Sequence, residues 1–304
     1  GEGRGVTPYV IENGGGKAYY YSITSQLSKR FNFGLDLSFA YTYSHAKSYS
    51  DGIGDQVTSA WKTNTNSING SNAHEIGYAS YVAPSRIIAS VGYRKEYGKN
   101  FASAVSLIYE GSQIGYAGGY SYSRFGYTYS NNPLNDGGAN PLMYIPASKD
   151  ELKFADIIDS KTGKVTYSKE DQANDFWAYV NQDKYLSKHK GEYADRNGAI
   201  MPWHHQFDFK FMQDFYIKTG SKRNTIQVGV DIQNLGNLLN NKWGLYKQTN
   251  TNANSPLKVN VDKSGEVTYN MNMSGSQKLT ETFMNYQGFA STSSVQFSVR
   301  YIFN

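Results

Sequence analysis

Val295-Gln296-Phe297-Ser298-Val299-Arg300-Tyr301-Ile302-Phe303 sets a large apolar side chain at every odd position, with mostly polar or smaller ones between. A period of two residues belongs to an extended strand, whose successive side chains point to opposite faces. The stretch reads as a β-strand with one apolar face, and Gln296, Ser298 and Arg300 share the other.

The same beat recurs upstream. From Phe31 to Tyr43, one face carries Phe31, Phe33, Leu35, Leu37, Phe39, Tyr41 and Tyr43, and the other carries Asn32, Gly34, Asp36, Ser38, Ala40 and Thr42. Rings stand at both ends of the apolar face and aliphatic residues nearer its middle. Trp203 to Phe215 sets Phe207, Phe209, Phe211 and Phe215 against Gln206, Asp208, Lys210, Met212 and Asp214. Thr225 to Gln233 sets Ile226, Val228, Val230 and Ile232 against Gln227, Gly229, Asp231 and Gln233. Phe101 to Glu110, Arg86 to Arg94 and the weaker Tyr19 to Leu27 complete the set of strands. Charge falls on the non-apolar face throughout.

The connections alternate in length. Leu27 reaches Phe31 through Ser28, Lys29 and Arg30; Tyr97 reaches Phe101 through Gly98, Lys99 and Asn100; Ile217 reaches Asn224 around Thr219, Gly220 and Ser221. These read as hairpin turns. The other connections are long, from Ser44 to Pro84, Gly111 to Pro202 and Asn234 to Gly288. Tight turns at one end and large loops at the other, on strands of about 9 to 11 residues or slightly more, are the arrangement of outer-membrane β-barrels. The expected fold is an all-β, transmembrane antiparallel barrel with long extracellular loops, closing on a last strand that ends in an aromatic residue. A periplasmic C-terminus places all three short turns on the periplasmic side.

Composition agrees with this fold class. Among 304 residues, 39% are hydrophobic and the mean hydropathy is -0.60. No run approaches the roughly 18 apolar residues of a membrane helix, whereas barrel strands face lipid with alternate residues only and stay polar on average. The 27 Tyr, 15 Phe and 4 Trp suit membrane interfaces, where a ring is dry on one side and wet on the other. Cys is absent, which excludes disulfides and thiolate metal sites. A net charge of +5 without basic blocks argues against a nucleic-acid partner. The N-terminus has no charged and apolar signal segment, as expected of a processed or partial chain.

Within the loops, Ser168 is an N-cap with Asp171 three residues on, and Ala173, Phe176, Trp177 and Val180 follow at helical spacing. One short helix is expected over Lys169 to Asp183. Lys258 to Tyr269 reads as a hairpin around Ser264 and Gly265, and the Gly, Tyr and Ser of Gly111 to Ser130 as a twisted extension.

Four segments carry a resemblance. They are Pro202-Trp203-His204-His205-Gln206-Phe207-Asp208-Phe209 with Gln213-Asp214-Phe215; Asn140-Pro141-Leu142-Met143-Tyr144-Ile145-Pro146; Gln182-Asp183-Lys184-Tyr185-Leu186 through Arg196-Asn197-Gly198-Ala199; and Gln233-Asn234-Leu235-Gly236-Asn237-Leu238-Leu239-Asn240 with Trp243-Gly244. In this order they resemble the late barrel strands of Bacteroidetes TonB-dependent receptors, in the Oar-like branch related to the SusC and RagA transporters. The resemblance covers nearly the whole chain. It implies that residues 1–304 are the C-terminal part of such a barrel, the last roughly seven strands of a 22-stranded wall, with the plug and TonB box outside this chain. It implies uptake of an oligosaccharide, peptide or chelate energised through TonB. The implied partners are outer-membrane lipid, the plug domain, the TonB complex and a surface lipoprotein lid, and no cofactor is implied. On this reading Glu110, Asp208, Lys210, Asp231, Gln233 and Arg300 face the lumen. Phe33, Leu35, Leu37, Phe39, Phe207, Phe209, Phe211, Val228, Val230, Phe297, Val299 and Phe303 face lipid.

Other chemistry finds little footing. His204 and His205 are strand neighbours that point to opposite faces, which suits a rim position and not joint metal chelation. His189 with Glu192, and His45 and His74, lack spaced acidic partners. Asn131 to Asn140 holds Asp136, Gly137 and Gly138 without EF-hand spacing. Gly52-x-Gly54 lacks the third glycine of a dinucleotide fingerprint, and no nucleophile elbow occurs. Asp208 and Asp214 alternate with Lys210, as charge balance on a wet face would have it, so no enzyme is expected. Two other classes share parts of the pattern: a surface-binding or export-assisting outer-membrane barrel without nutrient import, and a soluble Tyr-rich β-sandwich adhesin.

Overall fold

The computed structural model describes residues 17–51, 56–63, 66–73, 75–220 and 222–303. All seven expected segments are strands: β1 (Tyr19–Arg30), β2 (Leu35–Ser48), β3 (Ser85–Tyr97), β4 (Phe101–Gln113), β5 (Trp203–Thr219), β6 (Lys222–Gln233) and β7 (Ser294–Ile302). They pair antiparallel in sequence order in one sheet, and the two-residue strand Gly77–Tyr78 joins it at the end of β2. Among the described residues the sheet is open, with β1 and β7 at its two ends. The protein is therefore mostly β, and no helix among the described residues is long and apolar enough to cross a membrane.

The first hairpin lies four residues later than its sequence suggests. Strand β1 runs on through Ser28, Lys29 and Arg30, and the turn is Phe31 to Gly34, closed by Phe31 N–H to Leu35 O at 2.8 Å and Gly34 N–H to Phe31 O at 3.0 Å. Glycine decides the position. Gly34 has φ +98°, and a Cβ there would stand 2.0 Å from the carbonyl oxygen of Arg94. Arg30 and Asp36 then face each other across the hairpin with Nε to Oδ1 at 2.5 Å. Phe31 and Phe33 consequently belong to the turn and not to the apolar face of β2, which begins at Leu35. The second turn falls at Gly98, Lys99 and Asn100, where Gly98 and Lys99 have positive φ. In the third hairpin, the strands run past Ile217 and Asn224 until Thr219 pairs with Lys222.

Register aligns apolar residues across the middle of the sheet from β2 to β7. Leu37, Val91, Leu107, Phe209, Ile232 and Val295 form one row across β2 to β7. Among the described residues no second layer covers the apolar face, where Leu27 and Phe297 are each 76% exposed.

The hydrophobic core lies in the long connections. Residues between Phe125 and Met201 join Ala253, Leu257, Val259, Met271 and Leu279 in one buried cluster, which makes the second and third long connections a folded cap. The helix Lys169–Gln182 is its centre, with Ser168 Oγ accepting from the Asp171 N–H at 3.1 Å. Phe176 and Val180 are buried as their spacing predicts, and so are Gln172 and Tyr179. The hairpin of Leu257–Val261 and Val267–Met271 packs beside it, turning through Gly265 at φ +86°.

Burial keeps the cap phenols protonated. Desolvation raises the pKa of Tyr127, Tyr129, Tyr179 and Tyr185 well above the ordinary tyrosine value. The unfolded cap loses those protons from about pH 10, while the folded cap retains them. Their contribution to stability is full below that value and declines as pH rises toward the folded pKa values. The cap is expected to open in alkali before the sheet does. Absorbance at 295 nm combined with limited proteolysis checks this, and tyrosines that ionise near pH 10 in a protease-resistant cap would contradict it.

Candidate functional site

The sheet sorts the residues singled out by sequence onto two faces. Leu35, Leu37, Phe39, Phe207, Phe209, Phe211, Val228, Val230, Phe297 and Val299 all fall on one, since Phe39 aligns through Ala89 and Tyr109 with Phe207, and Phe211 through Val230 with Phe297. Phe303 follows the end of β7 and meets Tyr301 edge to face at 4.7 Å. Phe33 stands apart, exposed in its turn. Rings bracket this face. Tyr109 packs with His205 and Phe207 toward the cap, and Phe101 with Tyr97 and Phe215 toward the short turns.

Glu110, Asp208, Lys210, Asp231, Gln233 and Arg300 share the opposite face, where charges are neutralised across strands. Glu110 pairs with Arg86 at 2.9 Å and Lys210 with Asp231 at 2.7 Å. Asp208 Oδ1 accepts from Gln206 at 2.9 Å and from the Asn234 N–H at 2.8 Å. Gln233 Oε1 accepts from Ser294 at 3.4 Å, and Arg300 lies opposite Gln227. Toward the short turns, Arg94 donates to Asp214 at 2.5 Å, and Tyr216 and Arg223 both donate to Glu96. Ile88 and Ile108 also lie on this face, a placement that the alternation of neighbouring residues did not signal. Four of the charged pairs on this face, Arg86 with Glu110, Arg94 with Asp214, Lys210 with Asp231 and Arg223 with Glu96, are thus ion pairs between strands.

The concave site is in the cap. A cavity of about 540 Å³ lies where the cap meets the ends of β4 and β5, among Tyr78, Arg124, Phe125, Tyr185, Trp203 and Phe283. Lys184, Lys188 and His189 also line it. Gly198 makes room for Tyr185, because a Cβ there would stand 2.6 Å from its hydroxyl. A second, more polar cavity of about 350 Å³ shares Arg124 and Phe125 with the first and reaches Asp51, Arg196 and Asn197. Volumes of roughly 300–1,000 Å³ walled by rings with a few polar groups suit small-molecule binding. The hollow of about 600 Å³ near Asp36, Ser38 and Ser90 is a shallow stretch of the sheet's polar face.

Arg124 is fixed by short strand pairing. Arg124–Phe125 pairs with Ala199–Ile200, and the guanidinium lies 4.3 Å from the ring centroid of Tyr78. The other side of that pairing orients Arg196, which donates to the carbonyls of Ser48 and Tyr49. Asn197 bridges Asp51 and the Tyr78 carbonyl at 2.9 Å each. Sequence reasoning passed over Arg124, because the residues around it in the cavity range from Tyr78 to Phe283 and leave no local motif.

The four described histidines stand apart from one another in the sheet and the cap. His204 is buried and stacked on Tyr246 at 3.7 Å, on the polar side beneath the cap, while His205 sits on the apolar side with Tyr109. His189 stacks on Tyr185 at 4.1 Å, and His45 lies between Tyr19, Tyr21 and Tyr78. The Asp136 carboxylate is engaged by Asn132 and the Gly138 N–H. Among the described residues no group of three or more acidic or imidazole side chains is placed to hold a metal ion. Gly52, Gly54, His74 and Ser221 lie outside the described residues. No protein-family model, curated protein or solved structure matches the chain.

Proposed function

We propose that this chain is a wall segment of an outer-membrane β-barrel of the TonB-dependent receptor type, serving uptake of a nutrient that its cap captures. The observation that carries the reading is the apolar face, whose central row is unbroken from β2 to β7, which has aromatic rings toward both ends and which no second layer covers among the described residues. A soluble sheet would cover such a face, since exposing it to water costs about 25 cal/mol per Å². Lipid covers it without a second layer. The paired charges on the other face suit a water-filled lumen and a plug, and closure of the sheet would come from further strands beside β1 and β7. Short turns at one end then mark the periplasmic side, and the cap is extracellular. The four resembling segments add the receptor type, and with it coupling to TonB and to a surface lid.

Nitroxide labels placed singly from Val295 to Arg300, in the protein reconstituted in lipid, test the face assignment. Val295, Phe297 and Val299 are expected to be accessible to oxygen, and Gln296, Ser298 and Arg300 to a water-soluble nickel chelate. Equal accessibility at odd and even sites would end the barrel reading.

A further inference from the structure

The cap cavity contains a cation without a counterion. Arg124 is only 9% exposed, yet no carboxylate among the described residues lies within ion-pair distance of it. Its hydrogen bonds are two long ones from one nitrogen, to the carbonyls of Asn197 at 3.5 Å and Gly198 at 3.3 Å. The two acids that line the same cavity do not compensate it. Asp183 spends both oxygens on the N–H groups of Tyr185 and Leu186, at 2.8 Å each, and on the Thr282 hydroxyl at 2.7 Å. Asp195 acts only from beyond contact and accepts from Tyr185 at 3.4 Å.

A second cation approaches the same ring, with Lys47 Nζ 4.6 Å from the centroid of Tyr78. Lys184 and Lys188 add positive charge around the cavity. Arg196, next door and equally buried, gives two of its nitrogens to the carbonyl oxygens of Ser48 and Tyr49, whereas Arg124 reaches carbonyls with one nitrogen only. Burying an ion is costly unless a partner of opposite charge meets it. Desolvation accordingly depresses the Arg124 pKa. The planar guanidinium is suited to gripping a carboxylate or phosphate through two parallel hydrogen bonds.

We propose that the cap cavity binds a small organic oxyanion, its charged group on Arg124 and its flat or apolar body against Phe125, Met201, Trp203 and Phe283. The missing counterion is supplied by the ligand, and the adjoining rings select a molecule with an apolar surface over a bare inorganic anion. This assignment rests on reading the cap as the ligand-capturing part of the protein. Its binding test requires neither transport nor a closed barrel.

The test is calorimetric titration of the intact protein in detergent with 1-naphthoate, 1-naphthyl phosphate and the neutral 1-naphthamide. At least one anion is expected to bind about tenfold or more tightly than the amide, with affinity falling as salt is raised. The better anion identifies carboxylate or phosphate as the natural group. Arg124→Met should erase the preference for anions, while the melting temperature of the unliganded cap stays the same or rises, because a buried charge has been removed. A structural role for Arg124 predicts the reverse, a lower melting temperature with the preference retained. Lys184→Glu, at an exposed position, is expected to weaken the anion several-fold and gives a reading if Arg124→Met does not fold. Absence of binding by both anions, equal affinity for anion and amide, or unchanged affinity in Lys184→Glu and in any folded Arg124→Met overturns the proposal. Such a failure, with alternating label accessibility intact on β7, would remove the ligand class and leave the barrel standing.

Discussion

Phe209→Lys is expected to abolish insertion into lipid, while Ser38→Lys is expected to insert normally. Phe209 is near the middle of β5, between Leu107 on β4 and Ile232 on β6, in a row that is apolar from β2 to β7. On the proposed reading that row crosses the centre of the bilayer, where a lysine on the lipid face costs about 2–4 kcal/mol. A penalty of this size lowers the folding equilibrium by about thirtyfold or more, before the lost packing of the ring is counted. Ser38 lies on the other face, with its hydroxyl 3.1 Å from that of Ser28 and Ser90 as its neighbour in register on β3. A lysine there meets water and other polar groups. The heat-dependent gel shift of each variant after reconstitution measures the folded fraction. Equal insertion of the two, or greater damage from the change at Ser38, would show that the faces are assigned the wrong way round.

The second large effect is confined to the cap. Gln172→Leu is expected to unfold it while leaving the sheet paired. The side chain is fully buried, donating to the carbonyls of Ala155 at 2.8 Å, Tyr167 at 3.0 Å and Ser168 at 3.3 Å. Its oxygen accepts from the Met271 N–H at 3.0 Å and the Asn270 amide at 3.3 Å. One amide thus joins the start of the cap helix to the cap hairpin about a hundred residues later. Leucine matches its size and takes away the partner of the buried Met271 N–H and of the Tyr167 carbonyl, at about 1–3 kcal/mol for each group that water cannot reach, while the Ala155 and Ser168 carbonyls keep the Asn270 amide and the backbone N–H of residue 172. A total of about 3–5 kcal/mol is enough to open a marginal unit of this kind. Limited proteolysis should produce new cuts between about residues 130 and 280, with strand content by circular dichroism nearly unchanged. Wild-type protease resistance in the variant would mean that the cap is held elsewhere.

Local chemistry made much of this fold legible. Alternation placed all seven long strands, and the Ser168 cap with period-3.6 apolar residues placed the helix within one residue of its observed end. The hairpin at Gly265 was readable because one glycine must adopt positive φ between two alternating runs. The first hairpin was misplaced because alternation continues through Phe31 and Phe33 into the turn. Only the approach of Arg94, a residue on another strand, shows that Gly34 is where a side chain does not fit. Gln172 and Tyr179 are buried beside the apolar stripe of Ala173, Phe176, Trp177 and Val180, which helical spacing alone does not indicate for polar side chains. Partners from distant loops make their burial affordable.

By itself, then, the chain's periodicity determined seven strands with one apolar face each, joined by short turns at one end and long connections at the other. Periodicity is a property of neighbours two to four residues apart, and strands and helices are set at that range. The folded cap, its core and the cavity around Arg124 were decided by tertiary structure. Tyr78, Arg124, Tyr185, Trp203 and Phe283 meet only after three loops have folded over the sheet. Whether a buried arginine keeps or lacks a counterion is a fact about those contacts, which no stretch of sequence contains.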